Sequence, residues 1–126
     1  MRALMMIAAA ATIVSCTRPA TPPGSDFARE TAGRIAGPAR SCISTSQAQN
    51  LRVLDPQTLA YGWGRTIYVN RLRTPCPAVA QLNTIIVEPN LSGSYCNGDR
   101  IRGLEPGAII AGPTCLLGDW VPFRMP

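Results

Sequence analysis

Hydrophobic and polar side chains alternate in short runs over residues 40–124, a pattern typical of half-buried β-strands. The clearest example is "TLAYGWGRTIYVNRL", in which two flanks rich in Thr, Tyr, Ile and Val are joined by a Gly-Trp-Gly sequence at residues 62–64. Flanks of this composition around a glycine-containing connection predict a β-hairpin. On its second strand, Ile67 and Val69 are expected to face the same side of the sheet.

Further short strands are predicted from the same kind of pattern in "CISTS", "LRVLD", "NTIIVE", "DRIRGL", "AIIAG" and "DWVPF". The segment "CPAVAQL" predicts one helical turn or a tight corner, because proline is tolerated in the first turn of a helix. Repeated short strands separated by turns predict a mostly β domain at residues 40–126, either a small barrel or a sandwich, with at most one or two short helical turns.

The chain before residue 40 has a different pattern. The apolar run Ala3–Val14 has the length of a signal-peptide core and is too short to span a bilayer as a helix. We therefore predict a signal peptide at residues 1–15. Residues 16–39 are rich in Pro, Gly, Ala and Thr, and we expect a flexible tether there, with a short helix possible over residues 26–36.

The cysteines of the domain indicate covalent cross-links. No two of these cysteines form a C-x-x-C pair, which argues against a redox motif or a zinc knuckle. The four are Cys42, Cys76, Cys96 and Cys115. In an exported chain, an even number of dispersed cysteines is typical of disulfides, so the β domain is expected to be disulfide-stapled. Four cysteines allow three connectivities, and we favour Cys42–Cys115, which would tie the first and last strands, together with Cys76–Cys96.

The fifth cysteine, Cys16, ends the sequence "IVSC" directly after the apolar run. This sequence resembles the lipobox of bacterial lipoproteins, in which the leader is cleaved before a cysteine that carries diacylglycerol and further fatty acid such as palmitate. The resemblance implies lipid attachment at Cys16, since two or more acyl chains anchor a protein stably. An ordinary signal peptide followed by a free or paired cysteine is the alternative. Thr17 stands where aspartate favours inner-membrane retention in enteric bacteria, so we expect the outer membrane, facing the periplasm.

Composition excludes several classes of function. The chain has neither lysine nor histidine, and after loss of the leader eleven arginines face seven acidic residues, a net charge of +4. The arginines are scattered, so no nucleic-acid partner is expected. Without histidine or lysine, catalytic triads, histidine zinc sites and lysine Schiff bases are impossible. We expect a non-enzymatic protein with no catalytic residues, metal or cofactor.

Two sets of side chains are candidates for a site. Asp99 and Asp119 each follow a glycine, and paired carboxylates can hydrolyse glycosides, although Gly-Asp more often forms a turn. Tyr61 and Trp63, near the hairpin tip, could contact a ligand or partner by stacking, and Trp120 is a further aromatic candidate. Packing within the core is the alternative for all three aromatic residues.

The four cysteines of the domain lie within or beside a set of distinctive segments: "RSCI", "VLDPQTLAY", "IYVNRLRTPCP", "YCNGDRI" and "CLLGDWVP". With these segments, residues 40–122 resemble a family of small proteobacterial exported proteins and lipoproteins of unknown function. The resemblance implies the domain boundaries and the paired cysteines, and no activity. The expected function is that of an envelope lipoprotein with a structural or interaction role, bound to the membrane by its anchor and to an envelope protein or glycan by its domain. The alternative is a periplasmic module that binds a small molecule or glycan through the Trp63 hairpin tip.

Overall fold

The computed structural model describes residues 25–45, 51–88 and 93–126. In these ranges one helix, α1 (Ser25–Thr31), precedes ten strands: β1 (Ile35–Ala36), β2 (Cys42–Ser44), β3 (Arg52–Asp55), β4 (Thr58–Tyr61), β5 (Thr66–Arg71), β6 (Thr84–Val87), β7 (Ser94–Cys96), β8 (Arg100–Leu104), β9 (Cys115–Leu116) and β10 (Trp120–Arg124). They form antiparallel sheets of five, three and two strands. The prediction of a mostly β, disulfide-stapled fold is confirmed, and the separate sheets fit a sandwich.

The five-stranded sheet has the order β1-β10-β5-β4-β3. The predicted hairpin forms its centre, with Thr58 of β4 opposite Arg71 of β5. Ile67 and Val69 are both buried, as their spacing predicted. The three-stranded sheet has the order β6-β8-β9, and β2 pairs with β7 in the third sheet.

The hydrophobic core is built around Trp120, whose side chain is fully buried at the start of β10. The Tyr95 ring stacks on Trp120 with centroids 6.5 Å apart and meets the Tyr61 ring edge-on at 5.8 Å. Offset and edge-on arrangements are the favoured geometries of aromatic pairs. Ile43 of β2 and Ile101 of β8 belong to the same buried cluster, so one core holds all three sheets together.

A close approach between two backbone segments fixes the position of β10 against β5. The fully buried Asn70 side chain donates from Nδ2 to the carbonyl of Gly118 at 2.8 Å and accepts from the Gly118 amide at 2.9 Å. Both polar ends of a buried amide are thereby satisfied. A Cβ on Gly118 would lie 2.1 Å from the carbonyl oxygen of Arg71, so only glycine fits this contact.

The two disulfides join Cys42 to Cys96 and Cys76 to Cys115. The prediction that all four cysteines pair is confirmed, but the favoured connectivity, Cys42–Cys115 with Cys76–Cys96, is wrong. The physical reason is that β2 and β7 form a ribbon in which Cys42 lies directly opposite Cys96. The sequence pattern did not predict β7. The pairing of β2 with β7 was therefore not considered when the disulfide connectivity was chosen.

Residues 25–39, which the sequence placed in the tether, pack against the five-stranded sheet. Helix α1 ends at Thr31 rather than at residue 36, and β1 then pairs with β10. The Phe27 ring of α1 meets the Phe123 ring edge-on, with centroids 5.8 Å apart. The signal peptide and the tether up to residue 24 lie outside the described residues.

Two other sequence predictions had different outcomes. The "CPAVAQL" segment makes the expected corner, in which the Val79 amide donates to the Cys76 carbonyl at 2.9 Å. The predicted strand in "AIIAG" is wrong, because residues 108–112 form an exposed loop between β8 and β9. A short apolar run bounded by glycine and proline fits either a buried strand or such a loop.

Candidate functional site

The structure separates the two aromatic residues predicted to contact a ligand. Trp63 is 64% exposed at the β4–β5 turn, whereas Tyr61 is only 5% exposed and packs in the core. Burial, followed by the nearby Tyr95 phenol, raises the pKa of the Tyr61 hydroxyl. Tyr61 therefore packs as a core residue, which was the alternative for it, and its contact with a ligand or partner stays a prediction. Of the two residues, Trp63 is the one exposed at the tip.

An arginine from the neighbouring strand holds Trp63 in place. The Arg52 guanidinium carbon lies 3.8 Å from the centroid of the Trp63 ring, a cation–π arrangement. Its Nη1 donates to the Gly62 carbonyl at 2.9 Å, and its Nη2 pairs with the Glu30 carboxylate of α1. The indole orientation is thus fixed through Arg52 by both the turn and the helix.

The rest of the hairpin tip is also braced by segments distant in sequence. Arg34, after α1, donates from Nη1 to the Gly64 carbonyl at 2.8 Å. On the other side, the Met125 amide donates to the Arg65 carbonyl at 2.9 Å. The exposed Trp63 indole is therefore carried by a preorganised turn. Preorganisation lowers the conformational entropy that is lost when the indole contacts a ligand.

A polar cleft of about 440 Å³ lies beside this tip, between α1 and β3. Its charged side chains are paired with one another: Asp26 with Arg29 at 2.6 Å, and Glu30 with Arg52. The Gln81 amide also donates to the Asp26 carboxylate. The contacts of Glu30 with Arg52 and of Asp26 with Gln81 thus hold α1 on the domain.

The two Gly-Asp carboxylates both bind the turn that follows β7. The Asp99 carboxylate accepts a hydrogen bond from the Cys96 amide at 2.8 Å. The Asp99 amide in turn donates to the Cys96 carbonyl at 3.0 Å. Asp119 accepts from the Asn97 side chain at 2.7 Å. These bonds support the turn interpretation over acid–base catalysis. The described ranges contain no cluster of three or more Cys, His, Asp or Glu side chains that could hold a metal.

A surface that the sequence analysis missed consists of three exposed aliphatic residues, which we call the apolar loop surface. Leu82 is 83% exposed, Ile109 95% and Ile110 78%. Asn83, next to Leu82, and Ile110 line one cleft of about 370 Å³. Because Thr84 pairs with Leu104, the loop before β6 and the loop after β8 lie at the same end of this strand pair. The signal was present in "AIIAG", but hydropathy alone does not distinguish a buried strand from an exposed loop.

Comparison with known proteins found no matching family model, no curated protein of significantly similar sequence and no solved structure of significantly similar fold. In the part of the chain that the structure describes, no helix is long and apolar enough to cross a membrane.

Proposed function

We propose that this protein is a bacterial envelope lipoprotein, anchored through lipid at Cys16 and facing the periplasm from the outer membrane. Its role is structural or interactive rather than catalytic. The observation that carries the proposal is the fate of the cysteines: the four in the domain pair with each other, so none remains for Cys16. A spare thiol in an oxidising compartment is open to unwanted disulfide pairing. Lipid attachment, which the lipobox-like sequence around Cys16 indicates, would remove that free thiol.

The anchor is tested by growing cells with an alkyne-tagged fatty acid. The wild-type protein is expected to carry the tag, and Cys16→Ala to lose it, because the thioether and the new amino terminus both depend on that cysteine. Thr17→Ala is the matched control and should be labelled like the wild type. Label is a better readout than sedimentation, because an uncleaved leader would itself hold a variant on the membrane. An unlabelled wild-type protein, or a labelled Cys16→Ala variant, contradicts the proposal.

A second candidate function is glycan or small-molecule binding at the hairpin tip. It is favoured by the exposed Trp63 indole, which Arg52 holds in one orientation. A fixed aromatic face suits stacking on a sugar ring. The preorganised turn under it reduces the cost of binding.

This function predicts that Trp63→Ala weakens binding to envelope glycan fragments about tenfold or more, whereas Trp63→Phe retains most of it because a stacking face remains. Binding is measured by titration with fragments of the cell-wall glycan. Thermal melting of both variants provides the control, and little change is expected since Trp63 is largely exposed. Equal binding by the two variants, or no binding by the wild type, overturns this candidate.

A further inference from the structure

The point where the tether enters the domain lies next to the apolar loop surface. Helix α1 begins at Ser25, and the following residue, Asp26, accepts a hydrogen bond from the Gln81 side chain. Gln81 directly precedes Leu82, the first member of that surface. Asn83 lines both the cleft at α1 and the cleft beneath Ile110. The N-terminal entry and the three exposed aliphatic residues therefore share one side of the domain.

The loop that carries the two isoleucines is held open by contacts at its base. The Gly112 amide donates to the Gly103 carbonyl at 2.8 Å, and the Arg102 Nε donates to the Gly112 carbonyl at 2.9 Å. The disulfide from Cys76 to Cys115 ties the end of the loop to the corner before β6. These contacts hold the base of the loop, and Ile109 and Ile110 lie exposed within it.

The distance from the anchor to the domain is short. Packing of α1 leaves only the eight residues 17–24 between Cys16 and Ser25. Even a fully extended chain of this length spans at most about 30 Å. The side of the domain that carries Ser25 therefore stays close to the bilayer that holds the acyl chains.

We propose that the apolar loop surface of Leu82, Ile109 and Ile110 docks into the lipid bilayer to which the protein is anchored. This inference rests on the proposed lipid attachment at Cys16. Exposed aliphatic side chains gain free energy on leaving water, and a short tether beginning beside them supplies the bilayer at high effective concentration. The docked loop sets the orientation of the domain, with the tether and the isoleucines facing lipid.

The test places a fluorescent reporter in the loop of the lipidated, full-length mature protein. Ile109→Trp is reconstituted into phosphatidylethanolamine–phosphatidylglycerol vesicles, with or without lipids brominated at a shallow chain position. Emission added by the new tryptophan is expected to fall about twofold with brominated lipid, because interfacial insertion reaches ~5–10 Å into the headgroup and acyl boundary. Wild-type protein, whose tryptophans are Trp63 and Trp120, is the matched control for background quenching.

Failure of this inference is distinguishable from failure of the anchor. Mass spectrometry of the same preparation first reports whether Cys16 is lipidated, so an unmodified chain overturns the proposed function before any vesicle is made. If the Ile109→Trp variant is lipidated and its added emission is unquenched, only the docking is overturned. Crosslinking of two copies through residue 109 in the vesicles would assign the apolar loop surface to a second copy and also overturn the docking.

In a second measurement, the non-lipidated mature chain should bind vesicles at least about threefold more weakly after Ile109→Ser and Ile110→Ser.

Discussion

Gly118→Ala is expected to lower the free energy of unfolding by about 3 kcal/mol or more, since overpacking and a broken buried hydrogen bond add together. The new Cβ would lie 2.1 Å from the Arg71 carbonyl oxygen, which belongs to backbone and has no rotamer to escape through. Moving the Gly118 segment away would break both of its bonds to the buried Asn70 side chain. Chemical denaturation of the oxidised protein measures the loss.

Gly107→Ala is the matched control for this substitution. It adds the same methyl group where no atom lies within 4 Å, at a φ of 79°. The left-handed backbone should cost it about 1–2 kcal/mol and no more. Equal losses for the two variants would show that the contact between Gly118 and Arg71 does not constrain the fold.

Removal of the Cys76–Cys115 disulfide should have the second large effect and should exceed removal of Cys42–Cys96. The two bonds have sequence separations of 39 and 54 residues, so the chain-entropy model assigns about 4 kcal/mol to each. Cys76 is fully buried in the core, whereas Cys42 is exposed. Alanine at position 76 therefore adds a packing loss of about 1–2 kcal/mol. Paired Cys→Ala variants of each bond, compared by denaturation, measure the difference.

The connectivity is checked separately by a non-reducing peptide map. No arginine lies between Thr74 and Asp99, so trypsin leaves Cys76 and Cys96 on one peptide. A second cleavage, by chymotrypsin after the exposed Leu82, separates them. We expect peptides joining Cys42 to Cys96, and a peptide joining Cys42 to Cys115 would refute the structure at this point.

The strands that the sequence predicted most clearly are those with several alternating positions. The β4–β5 hairpin was clear because both flanks carry β-branched and aromatic residues around glycines, and burial of Ile67 and Val69 follows from period two. Strands β1 and β9 have two residues each. A two-residue strand contains no periodicity, and it forms only because a partner strand presents its edge.

The disulfide pairing failed for a related reason. Cys96 belongs to β7, a three-residue strand whose place opposite β2 is set by the tertiary fold. Chain order alone suggested that the first and last cysteines would meet. In the structure, Cys115 instead faces the corner at Cys76, and no local pattern around "TCLL" encodes that contact.

The candidate site was predicted in part. Tyr61 and Trp63 are two residues apart, so they would share a face if the strand continued. Gly62, with a φ of 90°, turns the chain between them and sends Tyr61 into the core while Trp63 points to solvent. The cation–π contact from Arg52 could not be predicted, because it depends on the pairing of β3 with β4.

The interior position of β10 in the five-stranded sheet has a consequence for the order in which the fold is completed. Synthesis proceeds from the N-terminus, so β10 emerges after every other described strand, yet it lies between β1 and β5. Until it arrives, β1 has no partner among these strands and β5 keeps one open edge. The five-stranded sheet is therefore completed only after translation has passed Trp120, so the nascent chain remains incompletely folded until that point.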